Sequence, residues 1–227
     1  MKKDALRACR DEALRYLRVR GEPPEPLREQ VERVCAELAE SFPPRFVYRA
    51  FPLDFSAEGV VLTGSGVTLA GTLARRMLSR CDTAALLVCT LGLGFEQRLR
   101  ALTSRDMGEA VVWDACGSAW VERGCEQAED ELRTRFPGRY LTDRFSPGYG
   151  DLPFDVQPAV LSALNAARRL GVVLGESLMM TPSKSVTAIV GVADTPQPAR
   201  VRGCAFCTLR ESCEYRKGGT SCEAADI

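Results

Sequence analysis

Thr83-Ala84-Ala85-Leu86-Leu87-Val88-Cys89-Thr90 is the stretch on which the reading of this 227-residue chain turns. Its apolar residues run continuously instead of alternating with polar ones, and it is bounded downstream by glycines at 92 and 94. A strand buried on both faces has that pattern, because neither row of its side chains meets water. Such a strand needs a covering layer on each side. Ser185–Val192 (SVTAIVGV) reads as a second clear strand. Phe46–Phe51, Gly59–Thr63 and Leu141–Phe145 read as further strands, the last leading into the turn Ser146-Pro147-Gly148-Tyr149-Gly150.

The covering layers are legible as helices. Residues 4–19 place Leu6, Cys9, Ala13, Leu14 and Leu17 at spacings of three and four, and Gly21-Glu22-Pro23-Pro24 ends the pattern. A second helix opens at Pro26 and runs to about Leu38, before Pro43-Pro44 breaks the chain again. The segment after Gly66 reads as a helix to about Ser79, and a short helix carries Phe95, Leu99 and Leu102. The longest helix spans Asp106 to about Arg135, and another spans Pro158–Leu170 and stops at Gly171. Strands and helices mix without a regular βαβ repeat. The expected class is therefore α+β: a single domain with a mainly antiparallel twisted sheet flanked by helices, plus a cysteine-rich C-terminal tail. The expected organisation is an N-terminal helical segment at 1–44, a sheet-bearing body at 45–193 and the tail at 194–227.

Thirty basic residues balance thirty acidic ones, which points away from nucleic acid or an anionic membrane as the main partner. There is no histidine, and that excludes a Ser-His-Asp triad, a Cys-His pair, a His-ligated zinc and a histidine pH switch within the chain. It also excludes a cobalamin domain that supplies its own histidine ligand. The opening MKKDALRACRDEALRYLRVR is interrupted by acidic residues and no apolar run follows it, so a cytoplasmic location without a targeting segment is expected. No apolar run approaches the roughly 20 residues of a membrane span.

Four motifs invite a chemical reading. Gly92-Leu93-Gly94 follows a buried strand, but position 97 is Gln where a dinucleotide fingerprint needs its third glycine, so a tight turn is the better reading. Thr181-Pro182-Ser183-Lys184-Ser185 lacks the glycines of a phosphate loop and reads as a polar lead-in to a strand. Within the long helix, Asp114, Ser118 and Glu122 form a polar line at i, i+4 and i+8, while Trp113, Cys116, Gly117, Trp120, Val121 and Gly124 share an apolar face. Arg144 through Gly150 joins a forked cation, a Pro-Gly turn and an aromatic ring. That set suits a ligand with a carboxylate and a flat base, and suits a structural turn equally well.

Of ten cysteines, Cys9, Cys35, Cys81, Cys89, Cys116 and Cys125 are dispersed and read as small buried hydrophobes. Cys204, Cys207, Cys213 and Cys222 instead form C-x2-C-x5-C-x8-C within 19 residues. Four thiols at that spacing can surround one zinc ion or an iron–sulfur cluster, and disulfides are disfavoured in a reducing compartment. The single short knuckle fits both metals.

Asp114-Ala115-x-Gly117-Ser118-x-x-x-Glu122, followed by Arg144-x-x-x-Gly148-Tyr149-x-x-x-Pro153 and by Ser183-Lys184-Ser185-Val186-Thr187-Ala188, resembles the reactivation domain of cobalamin-dependent methionine synthase in a stand-alone form. The resemblance covers roughly residues 45–192. It implies that the 45–193 body binds S-adenosylmethionine and serves the reductive methylation of cob(II)alamin to methylcobalamin. The cobalamin would be carried by a separate corrinoid protein such as methionine synthase, and the electron would come from an external donor. By position, Arg144 would hold the ligand's carboxylate, Glu122 would meet its cationic end, the Ser146 backbone would contact the nucleoside or methionine part, and Gly148 and Tyr149 would shape and line the pocket. No residue is assigned a catalytic role beyond positioning. The cysteine tail has no counterpart in that domain. The rival reading is a non-catalytic metal-binding adaptor that docks on a corrinoid or other partner protein.

The tail yields a direct expectation. Reactivation consumes one electron, which zinc cannot supply and an iron–sulfur cluster can. Anaerobically prepared protein is expected to contain iron, with visible charge-transfer absorption that dithionite bleaches. Zinc without such absorption would make the tail a structural staple.

Overall fold

The computed structural model describes residues 2–201 together with Glu211. Cys204, Cys207, Cys213 and Cys222 lie outside the described residues, so their role as metal ligands rests on spacing alone. The helices are α1 (Lys2–Tyr16), α2 (Glu25–Ser41), α3 (Thr72–Leu78), α4 (Gly92–Thr103), α5 (Met107–Arg135), α6 (Gln157–Ala163) and α7 (Ala166–Leu170). The strands are β1 (Arg45–Phe55), β2 (Val60–Leu62), β3 (Val67–Leu69), β4 (Cys81–Thr90), β5 (Tyr140–Leu141), β6 (Val173–Leu174), β7 (Met180–Thr181) and β8 (Ser185–Ala193).

Six strands form one sheet in the order β3-β2-β1-β4-β8-β5, with every neighbouring pair antiparallel. A dinucleotide fold built on parallel βαβ units is thereby excluded, and Gly92 instead opens α4 at φ 80°. β4 lies at the centre and is buried from Ala84 to Thr90. Leu86, Val88 and Ile189 join a core with β2, β3, α3, α6 and α7, while Leu87, Cys89 and Ala188 join another with α1, α2, α4 and α5. At about 1.5–3 kcal/mol per fully buried leucine, the two faces of β4 reward both coverings. The arrangement is therefore helix, sheet, helix.

α5 is the long brace of one layer. Asp106 caps its start by accepting from the Glu109 amide at 3.0 Å. Two interior glycines each cost a helix about 1 kcal/mol relative to alanine. Their places explain them. A β-carbon at Gly117 would collide with the Phe95 ring, and one at Gly124 would collide with Pro44 and sit 2.6 Å from Cys89 Sγ. The missing side chains let α5 lie directly on α4 and on the sheet. The six dispersed cysteines are free and buried, as their distribution implies. Cys9 and Cys35 bring their sulfurs to 3.1 Å where α1 meets α2.

Several boundaries differ from the sequence reading. The segment after Gly66 is not helical at first, because Val67–Leu69 pairs with β2, and the helix starts only after Gly71 at φ 93°. The helix expected over 158–170 is two helices, interrupted where Asn165 takes the left-handed conformation at φ 52°; Gly171 ends the second at φ 71°. β1 runs on through Pro52 to Phe55, and α1 ends at Tyr16, with Arg18 left-handed at φ 57°. The β6–β7 hairpin has no expected counterpart. The strand expected at 141–145 is the short β5 plus an isolated bridge between Phe145 and Ile189. No helix among the described residues is long and apolar enough to cross a membrane.

The turn after Phe145 is fastened to the second layer by Asp151. Its carboxylate accepts from the Thr72 amide and hydroxyl at 2.6 Å and from the Leu73 amide at 2.8 Å, at the start of α3. The Thr72 hydroxyl, then the Leu73 and Thr72 amides, hold the carboxyl at about 2, below its ordinary 3.8. A depressed folded-state pKa contributes stability above the unfolded value, and that contribution is lost as pH falls through the folded one. The melting temperature of wild type is expected to exceed that of Asp151→Asn by a constant gap above about pH 4, and the gap should close near pH 2. A gap independent of pH would show that the carboxylate charge does not fasten the turn.

Candidate functional site

The polar line on α5 faces the sheet's β8 edge, where two cations meet it. Arg144, with a side chain 10% exposed, donates 2.5 Å hydrogen bonds to Glu122 and to Glu129. Burial opposes its charge, but the carboxylates of Glu129 and Glu122 more than offset that, holding the guanidinium above its ordinary pKa. Glu129 is as buried as Arg144, whereas Glu122 is 36% exposed. One partner is locked in, and the other borders water.

Lys184 makes the second cationic contact. Its ammonium, 14% exposed, donates to Ser118 Oγ and pairs with Asp114, both at 2.8 Å. The loop ahead of β8 is held in place by Glu96 of α4, whose carboxylate accepts from the Ser183 amide at 2.8 Å and hydroxyl at 2.6 Å. Burial raises the Glu96 carboxyl and the hydrogen bonds from Ser183 and Arg100 lower it, with a net shift downward. The Leu91 amide donates to the Lys184 carbonyl at 3.0 Å, which completes the junction of β4, α4 and β8. Thr181–Ser185 is thus a polar lead-in to a strand, as its composition implies.

Beside Asp114 and Ser118 lies an open groove of about 480 Å³, lined also by Tyr16, Leu17, Val111 and Ala115. Burial, then the charge and hydrogen bond of Glu12 and the charge of Glu122, push the Tyr16 phenol upward, so it stays protonated across the physiological range. The groove therefore offers an apolar wall, a phenol and the Lys184-bonded edge of α5.

Arg144 and Glu122 are brought together, but as partners of each other and not as anchors separated by an empty ligand-sized gap. Ser146, Gly148 and Tyr149 sit on the next turn. Phe145 is fully buried in the core of the opposite sheet face and is fixed by paired hydrogen bonds with Ile189 at 3.1 and 2.7 Å. The turn closes through Tyr149 N–H to the Ser146 carbonyl and Gly148 N–H to the Leu152 carbonyl, both at 3.0 Å. Gly148 at φ 89° suits glycine alone, and the Tyr149 ring is 52% exposed. Residues on this turn are thus presented to solvent from a rigid base.

Sequence reasoning missed Glu129 as a site member. It lies seven residues, two turns, beyond Glu122 on the same helix face, whereas the next step of four along the polar line from Asp114 leads to Glu126. Lys184 was visible in its motif, but nothing local announces that it reaches α5, 66 residues away in sequence from Ser118. Among the described residues no group of three or more His, Cys, Asp or Glu side chains is placed to hold a metal ion.

No family model matches the sequence, and no curated protein is similar to it at a significant level. Among solved structures, the chain is similar in fold to the crystal structure of the MetH reactivation domain bound to AdoHcy. The superposition has a TM-score of 0.67 and 17% sequence identity, and covers 96% of this chain and 83% of that one.

Proposed function

We propose that the protein binds S-adenosylmethionine and serves the reductive methylation of a corrinoid carried by a separate protein. The observation that carries this reading is the Arg144–Glu122 pair, on a fold similar to a reactivation domain that binds S-adenosylhomocysteine. A methionine-type ligand is a zwitterion with a further positive charge at the sulfonium. It needs a fixed cation for its carboxylate and a carboxylate for its cationic end. Arg144 retains Glu129 as a permanent counter-ion, so its outer face can exchange Glu122 for the ligand's carboxylate. The released Glu122 then meets the ammonium or sulfonium. One internal ion pair is replaced by two to the ligand, and no buried charge is left unpaired.

The turn from Ser146 to Tyr149 supplies the remaining contacts in this reading: backbone at Ser146 and Gly148, and the exposed Tyr149 ring as a wall. When bound, S-adenosylmethionine supplies a methyl cation, which together with one external electron converts cob(II)alamin to methylcobalamin and leaves S-adenosylhomocysteine. The chain's own task is to hold the sulfonium in place and facing outward. The corrinoid comes from a partner, because the chain has no histidine to ligate cobalt.

Arg144→Ala would remove the close partner of the buried Glu129 carboxylate, leaving the longer 3.7 Å pair with Arg133, and is expected to cost folding stability. Arg144→Lys is the sharper variant, since it keeps the charge and loses the fork. By isothermal titration it is expected to weaken S-adenosylmethionine roughly ten-fold with the thermal melt preserved. Unchanged affinity would remove Arg144 from the site, and no saturable heat in wild type would return the adaptor reading.

Glu122→Gln removes the exchangeable charge and leaves Arg144 paired with Glu129. It is expected to weaken S-adenosylmethionine by about ten-fold while a desamino, uncharged-sulfur analogue binds as well as before or better. Equal losses for both ligands would mean that Glu122 only supports the fold.

A further inference from the structure

The two long edges of the sheet's central part are treated differently. β8 is bordered by β5 and by the Phe145 bridge. β1 is bordered by β2 only over Leu53–Phe55, with one more hydrogen bond from the Thr63 amide to the Pro52 carbonyl at 2.9 Å. That bond shows which way Pro52 points: away from β4. Residues two apart in a strand direct their backbone groups to the same side. Ala50, Tyr48 and Phe46 therefore also direct N–H and C=O away from β4. Among the described residues no strand lies beside them, and no hydrogen bond reaches these groups.

This free edge is the floor of a groove of about 440 Å³ between two helices. Tyr48 and Ala50 pack against Leu132 of α5, whose Glu131 and Arg135 line one wall. Arg49 and Arg169 of α7 line the groove as well. Arg49 stacks 4.9 Å over the Phe51 ring. Among the described residues none of Arg49, Arg135 and Arg169 is in an ion pair, and of the residues lining the groove only Glu131 is acidic. Arg139, Arg144 and Arg200, by contrast, are each ion-paired.

We propose that the β1 edge from Phe46 to Ala50 is a docking site for an extended acidic segment of a partner polypeptide, which adds to the sheet as a strand. The backbone groups of Phe46, Tyr48 and Ala50 would provide the pairing, and Arg49, Arg135 and Arg169 would select for carboxylates. The inference is independent of the ligand at Arg144. Its alternative is that the arginines only blunt an edge that would otherwise aggregate.

The test uses the full chain and a fluorescein-labelled peptide of about ten residues alternating Glu and Thr, the length of a long strand, read by fluorescence anisotropy. Saturable binding is expected, weakening as salt rises. Ala50→Pro removes one outward N–H, at a position type where Pro52 already stands, and should weaken binding roughly ten-fold. Arg135→Glu with Arg169→Glu should weaken it at least as much. Amide exchange at Tyr48 and Ala50 in wild type should slow when the peptide is bound, which tests the pairing even if Ala50→Pro fails to fold. No saturable binding, equal binding of a Lys-Thr peptide, or unaltered exchange at Tyr48 and Ala50 would each overturn the proposal. So would a concentration-dependent dimer abolished by Ala50→Pro, which would assign the edge to a second copy.

Discussion

The structure depends on the placing of β4 and β8 side by side with neither face open to water. Two adjacent strands carrying Leu86, Leu87, Val88, Ile189 and Val190, all fully buried, cannot be stable under a single layer. α1, α2, α4 and α5 therefore cover one face, while α3, α6, α7 and the β2–β3 hairpin cover the other. α5, about 44 Å long at 1.5 Å per residue, spans the whole of its face, and glycines at its closest approaches let it do so.

Because both faces are filled with apolar side chains, charge is left to the borders. Along the border between α5 and β8 it is neutralised internally: Asp114 by Lys184, and Glu122 and Glu129 by Arg144 together with Arg133, 3.7 Å from Glu129. In the proposed function a self-neutralised seam would also make the site selective. A ligand carrying only one charge would leave an internal partner stranded at low dielectric, whereas one carrying both can replace a pair without loss. In the proposed function the difference in exposure between Glu122 and Glu129 would give the exchange a direction, since Glu122 is the more exposed carboxylate.

Phe145 links that seam to the far layer. Its ring is buried among the residues covering the opposite face while Arg144, the residue before it, turns to α5. Alternation along an extended segment places adjacent side chains on opposite faces, so one short stretch serves both cores. The turn that follows is then secured by Asp151 on α3, which lets Tyr149 project without loosening the backbone beneath it.

The sequence by itself determined the elements whose cause is local. The apolar run at Thr83–Thr90 announces a strand with two buried faces, 3.6-residue periodicity announces α1, α2 and α5, and the glycine at 171 announces a helix end. It also assigned Asp114, Ser118 and Glu122 to one helix line, because helical geometry alone puts residues four apart on one face. Short pairings were decided by tertiary structure. β3, β5 and the β6–β7 hairpin are two or three residues each, too short for any period to register, and exist because a neighbour offers hydrogen bonds. The site was decided there too. Arg144 is 22 residues from Glu122 in sequence and Lys184 is 66 from Ser118, and nothing within either segment reports which cation will neutralise which carboxylate. That pairing is set by the antiparallel register of β8 against β4 and by the seating of α5 across them, distances that only the folded chain defines.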